Sequence, residues 1–349
     1  MKVVHITRDL PPRCKGGIST AVAGLVAASA RAGVEVSVVS FDGWRPRARA
    51  SSGEAPAGSR LEDGLEVLRV DSPAGLDSAA RFVRRLDPDV LHVHHGMLWS
   101  FARRCQQESR AATVLSVHVL QQEMNRLRGV SERTMSLTGQ LQALSEADRI
   151  IAPSQAVRRS LLDHDRGLEG RLRWLPLGIE NSAASQTITG ALAERRQPTV
   201  CYVGRFDVIK GSDLLIPIFD RVLERVPGSR FEIAGGVPDN GKAERRWSRR
   251  WREDAPMALQ QRTALLGWQS AEEIAALYGR AAVLVVPSRY ETFGQVVLEG
   301  MMHGCAVVAS RCGGVSELIE HGQTGLLAEA GDALTLADHV VSLLQEPTS

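Results

Sequence analysis

"AAVLVVPSRYETFGQVVLEGMMHGCAVVAS", residues 281–310, sets the fold class. An apolar run ends at Pro287-Ser288, a loop carries Glu291, a helix should open near Gly294, and a second apolar run begins at Cys305. Runs that are apolar on successive residues suit parallel strands covered on both faces, with helices as the crossovers. The same rhythm runs through the chain. Its first half holds "KVVHIT", "VEVSVVSF", "LEVLRV", "VLHVHH", "TVLSVH" and "RIIAPS"; its second half adds "PTVCYVGR", "RFEIAGG" and "RTALLGW".

The rhythm breaks at "LPLGIENSAASQTITGALAERRQP", residues 175–198, and Pro198 precedes the strand that restarts it. The 349 residues also fit two domains at roughly 100–200 residues each. The expected fold is α/β, with two Rossmann-like doubly wound domains facing a cleft, at 1–178 and 197–349, joined by a linker at 179–196. Ligands of such sheets bind at the carboxyl ends of the strands. A loose stretch at 44–60, "WRPRARASSGEAPAGSR", should loop out of the first domain.

Composition narrows the partners. Lys plus Arg number 42 against 40 acidic residues, so no global charge points to nucleic acid or an anionic membrane. Cys14, Cys105, Cys201, Cys305 and Cys312 are scattered and odd in number, which suits reduced thiols in the cytoplasm. No signal peptide or membrane span is expected.

Several places carry candidate chemistry. The strand at 199–203 ends in Gly204, followed by Arg205 and Lys210. Glycine admits a close ligand, and the two cations can both reach a pyrophosphate; two ordinary loop cations are the alternative. Glu291 and Glu299 flank a helix start whose N–H groups at Phe293 and Gly294 suit an anion. Carboxylates accept from hydroxyls, so this arrangement fits a sugar nucleotide, or else two plain helix acids. Gly313 and Gly314, before a helix holding Glu317, either admit a ligand or make a tight turn. Gly16-Gly17 opens a helix at Ile18 without G-x-G-x-x-G or GK[ST], which speaks against NAD and ATP.

His92, His94, His95 and His118 follow strand runs. They can donate to sugar hydroxyls or sit in the core, His92 above all. No third ligand or carboxylate is evident beside His92 and His94, so no metal site is expected. Asp87-Pro-Asp89 precedes a strand, the wrong end for a metal-bound nucleotide sugar. "AERRWSRRWREDAP" (243–256) sets Trp247 and Trp251 among five arginines. It reads as an exposed helix with tryptophans turned to the core; peripheral membrane contact is the less favoured alternative.

Together, "GRFDVIKG", "PSRYETFGQVVLEGMMHGCAVVAS" and "GGVSELIEHGQTGLL" resemble the retaining GT-B glycosyltransferases of family 4. The resemblance implies a metal-independent hexosyl transfer from a nucleotide sugar, UDP most often, to a hydroxyl acceptor, with no cofactor. It implies diphosphate binding by Arg205 and Lys210, ribose contacts from Glu299, and Glu291 near the transferred sugar. Gly204, Phe293 and Gly294 would hold donor oxygens, Gly16 and Gly17 would match the glycine loop beside the diphosphate, and His118 would lie near the donor sugar. The acceptor side is expected in 119–136, with Gln121, Glu123 and Arg126, beside His94 and His95. Leu177-Gly178-Ile179-Glu180 replaces the frequent Asn-Gly-Val-Asp, Val119 a frequent Asp, and relatives usually continue beyond "SLLQEPTS". A GT-B phosphorylase, a nucleotide-sugar epimerase and a non-catalytic sugar-nucleotide-binding partner are the alternatives.

Overall fold

The computed structural model describes residues 1–13, 16–42, 60–62, 64–130, 134–179, 198–236 and 241–345. Cys14, the stretch 44–59, residues 131–133 and the expected linker from Glu180 to 196 lie outside the described residues. The chain divides into two compact units, Met1–Gly178 and Ile179–Ser349.

The first unit is built on β1 (Lys2–Thr7), β2 (Glu35–Ser40), β3 (Arg60–Glu62), β4 (Leu65–Arg69), β5 (Val90–Val93), β6 (Ala112–Ser116), β7 (Arg149–Ala152) and β8 (Leu172–Trp174). Their order is β3-β4-β2-β1-β5-β6-β7-β8. All neighbours pair in parallel except β3 with β4. The chain winds outward from β1 in one direction and from β5 in the other. That reversal opens a crevice at the carboxyl ends of β1 and β5.

The pleat sorts the side chains of this sheet. Val4, Ile6, Leu91, Val93 and Leu115 enter one core, with Trp99 fully buried among them. On β1 and β2 the other face packs Val36 and Val38 with Val22 and Val26 of the helix Gly17–Arg31. His5 and His92, directly opposite in the β1/β5 register, alternate with the first set and so share the second face. Asp89 accepts from the Lys2 backbone N–H at 2.7 Å before β5 begins, which accounts for the Asp87-Pro-Asp89 turn structurally.

The second unit has β9 (Thr199–Val203), β10 (Arg230–Ala234), β11 (Thr263–Gly267), β12 (Val283–Val286), β13 (Ala306–Arg311) and β14 (Leu326–Glu329). They form a parallel sheet in the order β11-β10-β9-β12-β13-β14. Its reversal lies between β9 and β12, so the loops after Val203 and Val286 meet there. Three short strands, β3, β8 and β14, have no counterpart in the sequence reading. Each is an edge strand of three or four residues, too short for periodicity to register.

The helix Gly241–Asp254 turns its aromatic side inward. Trp251 is 2% exposed and meets Phe219 edge-on, while Trp247 stacks on Phe206 at 4.2 Å and donates to the Ser212 carbonyl. The arginines Arg245, Arg246, Arg249, Arg250 and Arg252 are exposed. Cations without exposed aromatics are a solvated helix face, and among the described residues no helix is long and apolar enough to cross a membrane. Trp251→Ala is expected to cost about 3–5 kcal/mol in urea unfolding, and Arg249→Ala less than about 0.5 kcal/mol. The reverse ranking would contradict this packing.

Candidate active site

In the second unit the loop after β9 begins with Gly204 and Arg205. The Asp207 side chain caps a short 3-10 turn, Val208–Lys210, by accepting from the Lys210 N–H at 2.9 Å. The same carboxylate pairs with Arg205 at 2.9 Å. The chain then turns at Gly211, φ +67°, where a Cβ would strike the Pro287 carbonyl. That contact lets the β9 loop lie directly on the β12 loop. Arg289 clasps the two by donating to the Ile209 and Val208 carbonyls and, as a two-pronged pair at 2.7 and 2.8 Å, to Asp213.

This seam brings Lys210 to Glu291, 81 positions away in sequence: Nζ lies 2.5 Å from Oε1. Ser288 Oγ donates to the same oxygen at 3.1 Å. The Lys210 side chain is 26% exposed and that of Glu291 10%. An ammonium has three donors and a carboxylate two oxygens, so Lys210 retains two N–H groups and Glu291 Oε2 retains its acceptor capacity. Both groups remain equipped to bind.

The helix Gln295–Met302 starts one residue past the expected point, with Gly294 at its N-cap, φ +99°. Phe293 is buried. Glu299 lies in the second turn and accepts from the Tyr278 hydroxyl at 3.2 Å. Burial pushes its carboxyl above the usual range, a pull that the Tyr278 hydrogen bond partly offsets. A desolvated carboxylate of this kind favours further hydroxyl donors.

Gly313 and Gly314 serve the protein itself. Gly313 has φ +45° and packs against the Glu291 carbonyl, which accepts from the Gly314 N–H at 3.0 Å. The tandem glycine therefore holds the backbone of Glu291, so its close approach is to the 291–293 loop. Glu317 is exposed on the short helix Val315–Leu318. Asp207, Asp213, Ser288, Arg289, Tyr278 and Gly211 escaped the sequence reading. Only Asp207 carried a local signal, as an Asp placed to cap the turn before Lys210.

In the first unit Gly16 caps the helix Gly17–Arg31, and the space where its Cβ would stand is open. His95 Nε2 bonds Asp9 at 2.8 Å, and His95 Nδ1 accepts from the Arg8 N–H at 3.2 Å. Sequence spacing offered no third histidine beside His92 and His94; the fold supplies His5 from β1, and the three offer ligand atoms within 4.8 Å of one another. His94 is 2% exposed, with both ring nitrogens bonded, to His5 and His118. Within the unit its ring thus supports two other side chains. Gln121 begins the helix Gln121–Arg128, its N–H bonded to Gln140 Oε1, and Glu123 pairs with Arg126 on an exposed turn.

Burial drives the four inner histidines toward the neutral form. His5 falls from 6.5 to about 4 and His118 to about 3, and His92 and His94 lie well below 6.5. A depressed pKa gives stability that is present above the unfolded value and lost as pH falls toward the folded one. Urea stability is expected to drop steeply from pH 6.5 to about 4, with His5→Phe removing about 3 kcal/mol of that dependence. A flat profile across this window would contradict neutral burial.

Comparison with known proteins bears on both units. A family model described as Glycosyltransferase Family 4 matches residues 15–182, and one described as Glycosyl transferases group 1 matches residues 197–346. A D-inositol 3-phosphate glycosyltransferase of Acidothermus cellulolyticus is 26% identical over 386 residues, covering 99% of this chain and 82% of that one. Among solved structures, sucrose-phosphate synthase of Thermosynechococcus elongatus is similar at a TM-score of 0.75 and 22% identity, covering 99% of this chain and 90% of that one. HepE of Anabaena in complex with UDP-glucose is similar at a TM-score of 0.75 and 19% identity, with the same coverage. With both units matched and the fold shared, the chain belongs to the family 4 glycosyltransferases and has the GT-B fold.

Proposed function

We propose that the protein is a retaining hexosyltransferase that moves a sugar from a UDP-linked donor to a hydroxyl acceptor. The observation that carries the reading is the meeting of Lys210 and Glu291 at the strand-order reversal of the second sheet, each with binding capacity in reserve. Arg205 and Lys210 take the diphosphate, and the N–H groups of Phe293 and Gly294 hold donor oxygens. Glu299 accepts from ribose hydroxyls, and Glu291 Oε2 from the sugar. The UDP-glucose complex of HepE supports UDP as the carrier.

From the first unit, the resemblance assigns Gly16 and Gly17 to the diphosphate and His118 to the donor sugar. His95, Gln121, Glu123 and Arg126 are assigned to the acceptor. Cys105, Cys201, Cys305 and Cys312 are free thiols buried in the two units, which supports a cytoplasmic setting.

The chemistry follows from charge. Cleaving the bond from the anomeric carbon to the phosphate oxygen leaves positive charge on the sugar and further negative charge on the diphosphate. Two side-chain cations and the helix N–H groups favour that distribution over the ground state, without a metal ion. The acceptor oxygen attacks from the face the diphosphate leaves, and its proton passes to the departing phosphate oxygen.

UDP-glucose serves as the donor probe. In its slow hydrolysis, proton NMR is expected to detect α-glucose first, and Lys210→Ala to lower kcat about 10²–10³-fold. First release of β-glucose would rule out retention, and a native rate in the variant would remove Lys210 from the chemistry.

A further inference from the structure

Two neighbouring helices of the second unit meet at the carboxylate assigned to the ribose. Glu299 stands on the helix Gln295–Met302, and Tyr278 in the last turn of the helix Ala271–Arg280. Gly300, next to Glu299, seats its helix closely on β12, because a Cβ there would strike the Leu284 side chain. The Tyr278 hydroxyl then donates to Glu299 Oε2 at 3.2 Å. Tyr278 is itself fixed. It is 1% exposed, its carbonyl accepts from Cys305 Sγ at 3.0 Å, and its ring lies 5.7 Å from that of His303 between centroids.

Burial and charge decide what this hydroxyl can do. Burial first, and the nearby Glu299 carboxylate second, hold the Tyr278 phenol well above its usual range, so it stays protonated and donates. Burial also raises the Glu299 carboxyl; the Tyr278 hydrogen bond opposes that rise first, and His303 second. Among the described residues, Tyr278 is the one side chain bonded to the Glu299 carboxylate. A carboxylate accepts at both oxygens, so with Oε2 held by the phenol, Oε1 keeps its capacity. A carboxylate locked in one rotamer before the ligand arrives also avoids the entropy cost of ordering it on binding.

We infer that Tyr278 is the positioning residue for Glu299: its hydroxyl fixes Oε2, so that the carboxylate is already set to receive the ribose hydroxyls at Oε1. The inference deepens the proposed function, since it rests on Glu299 accepting from the ribose. Tyr278 itself touches no ligand. Its whole effect on binding passes through the carboxylate, so it acts on the part of the nucleotide that carries hydroxyls and on no other part.

The test compares UDP with 2′,3′-dideoxy-UDP by calorimetric titration of the full chain. The analogue keeps the base and the diphosphate and lacks both ribose hydroxyls. The native protein is expected to prefer UDP about 10–100-fold. Tyr278→Phe keeps the ring and its packing; it is expected to cut that preference about three- to tenfold and to leave the affinity for the analogue unchanged. With UDP-glucose as the hydrolysis substrate, the same variant should raise KM by the same factor at near-native kcat, the mark of an interaction made equally in ground and transition states. In a Glu299→Gln background, adding Tyr278→Phe should change the preference no further.

Equal weakening of both nucleotides by Tyr278→Phe would overturn the positioning role and leave Tyr278 a packing residue. An unchanged preference would overturn it too, as would a lowered kcat at native KM. Further loss from Tyr278→Phe in the Glu299→Gln background would show the hydroxyl acting elsewhere, with the same consequence. A native protein that binds the two nucleotides equally would sink the ribose reading of Glu299, and the inference with it. That last result is read on the native protein alone, so it is distinguishable from a failure of Tyr278.

Discussion

The second unit depends on one seam, where the loop after β9 is pressed onto the loop after β12. Gly211 permits the contact, because any side chain there would collide with the Pro287 carbonyl. Arg289 then fastens it with main-chain and carboxylate bonds. Only with the loops in this register do Lys210 and Glu291 meet. Their pairing contributes little to stability, because desolvating two charges roughly offsets their attraction. Its value is positional: a cation and a carboxylate are held side by side at the end of the sheet where doubly wound folds bind ligands. Gly313 and Gly314 brace the same carboxylate from the far side, through the backbone of Glu291.

The first unit solves a similar placement problem with neutral groups. Parallel pairing sets His5 opposite His92, and the pleat carries His94 and His118 to the same face. The result is a polar stripe in an otherwise apolar sheet. Burial keeps it uncharged near neutral pH, and hydrogen bonds within it engage both ring nitrogens of His94 and one each of His5 and His118.

Much of this was legible in the sequence. Long apolar runs announce buried parallel strands, and Arg205, Lys210, Glu291 and Glu299 each sit just past one. Their residue types and spacing fit a sugar-nucleotide site or ordinary loop cations and helix acids, and it is the joint resemblance to the family 4 glycosyltransferases that favours the first. What the sequence hid was long-range. Arg289 and Asp213 look like ordinary loop charges until the fold sets them within 2.7 Å of each other. His5 lies 89 positions from His94 and joined no local pattern. Gly313 stayed open between ligand approach and a tight turn, because spacing cannot tell a ligand from a neighbouring loop. The edge strands β3, β8 and β14 were missed because three or four residues carry no period.

The central claim is that the second unit grips a nucleotide through Glu299 and the Lys210–Glu291 pair. Calorimetric titration with UDP, GDP, dTDP and ADP, on the native protein and on Glu299→Ala, tests it most directly. The account predicts that UDP binds best and that the variant weakens it by about 1.5–3 kcal/mol, the range for a hydrogen bond to a charged group. Equal UDP affinity in a folded Glu299→Ala variant, or no nucleotide bound by the folded native protein, would contradict it.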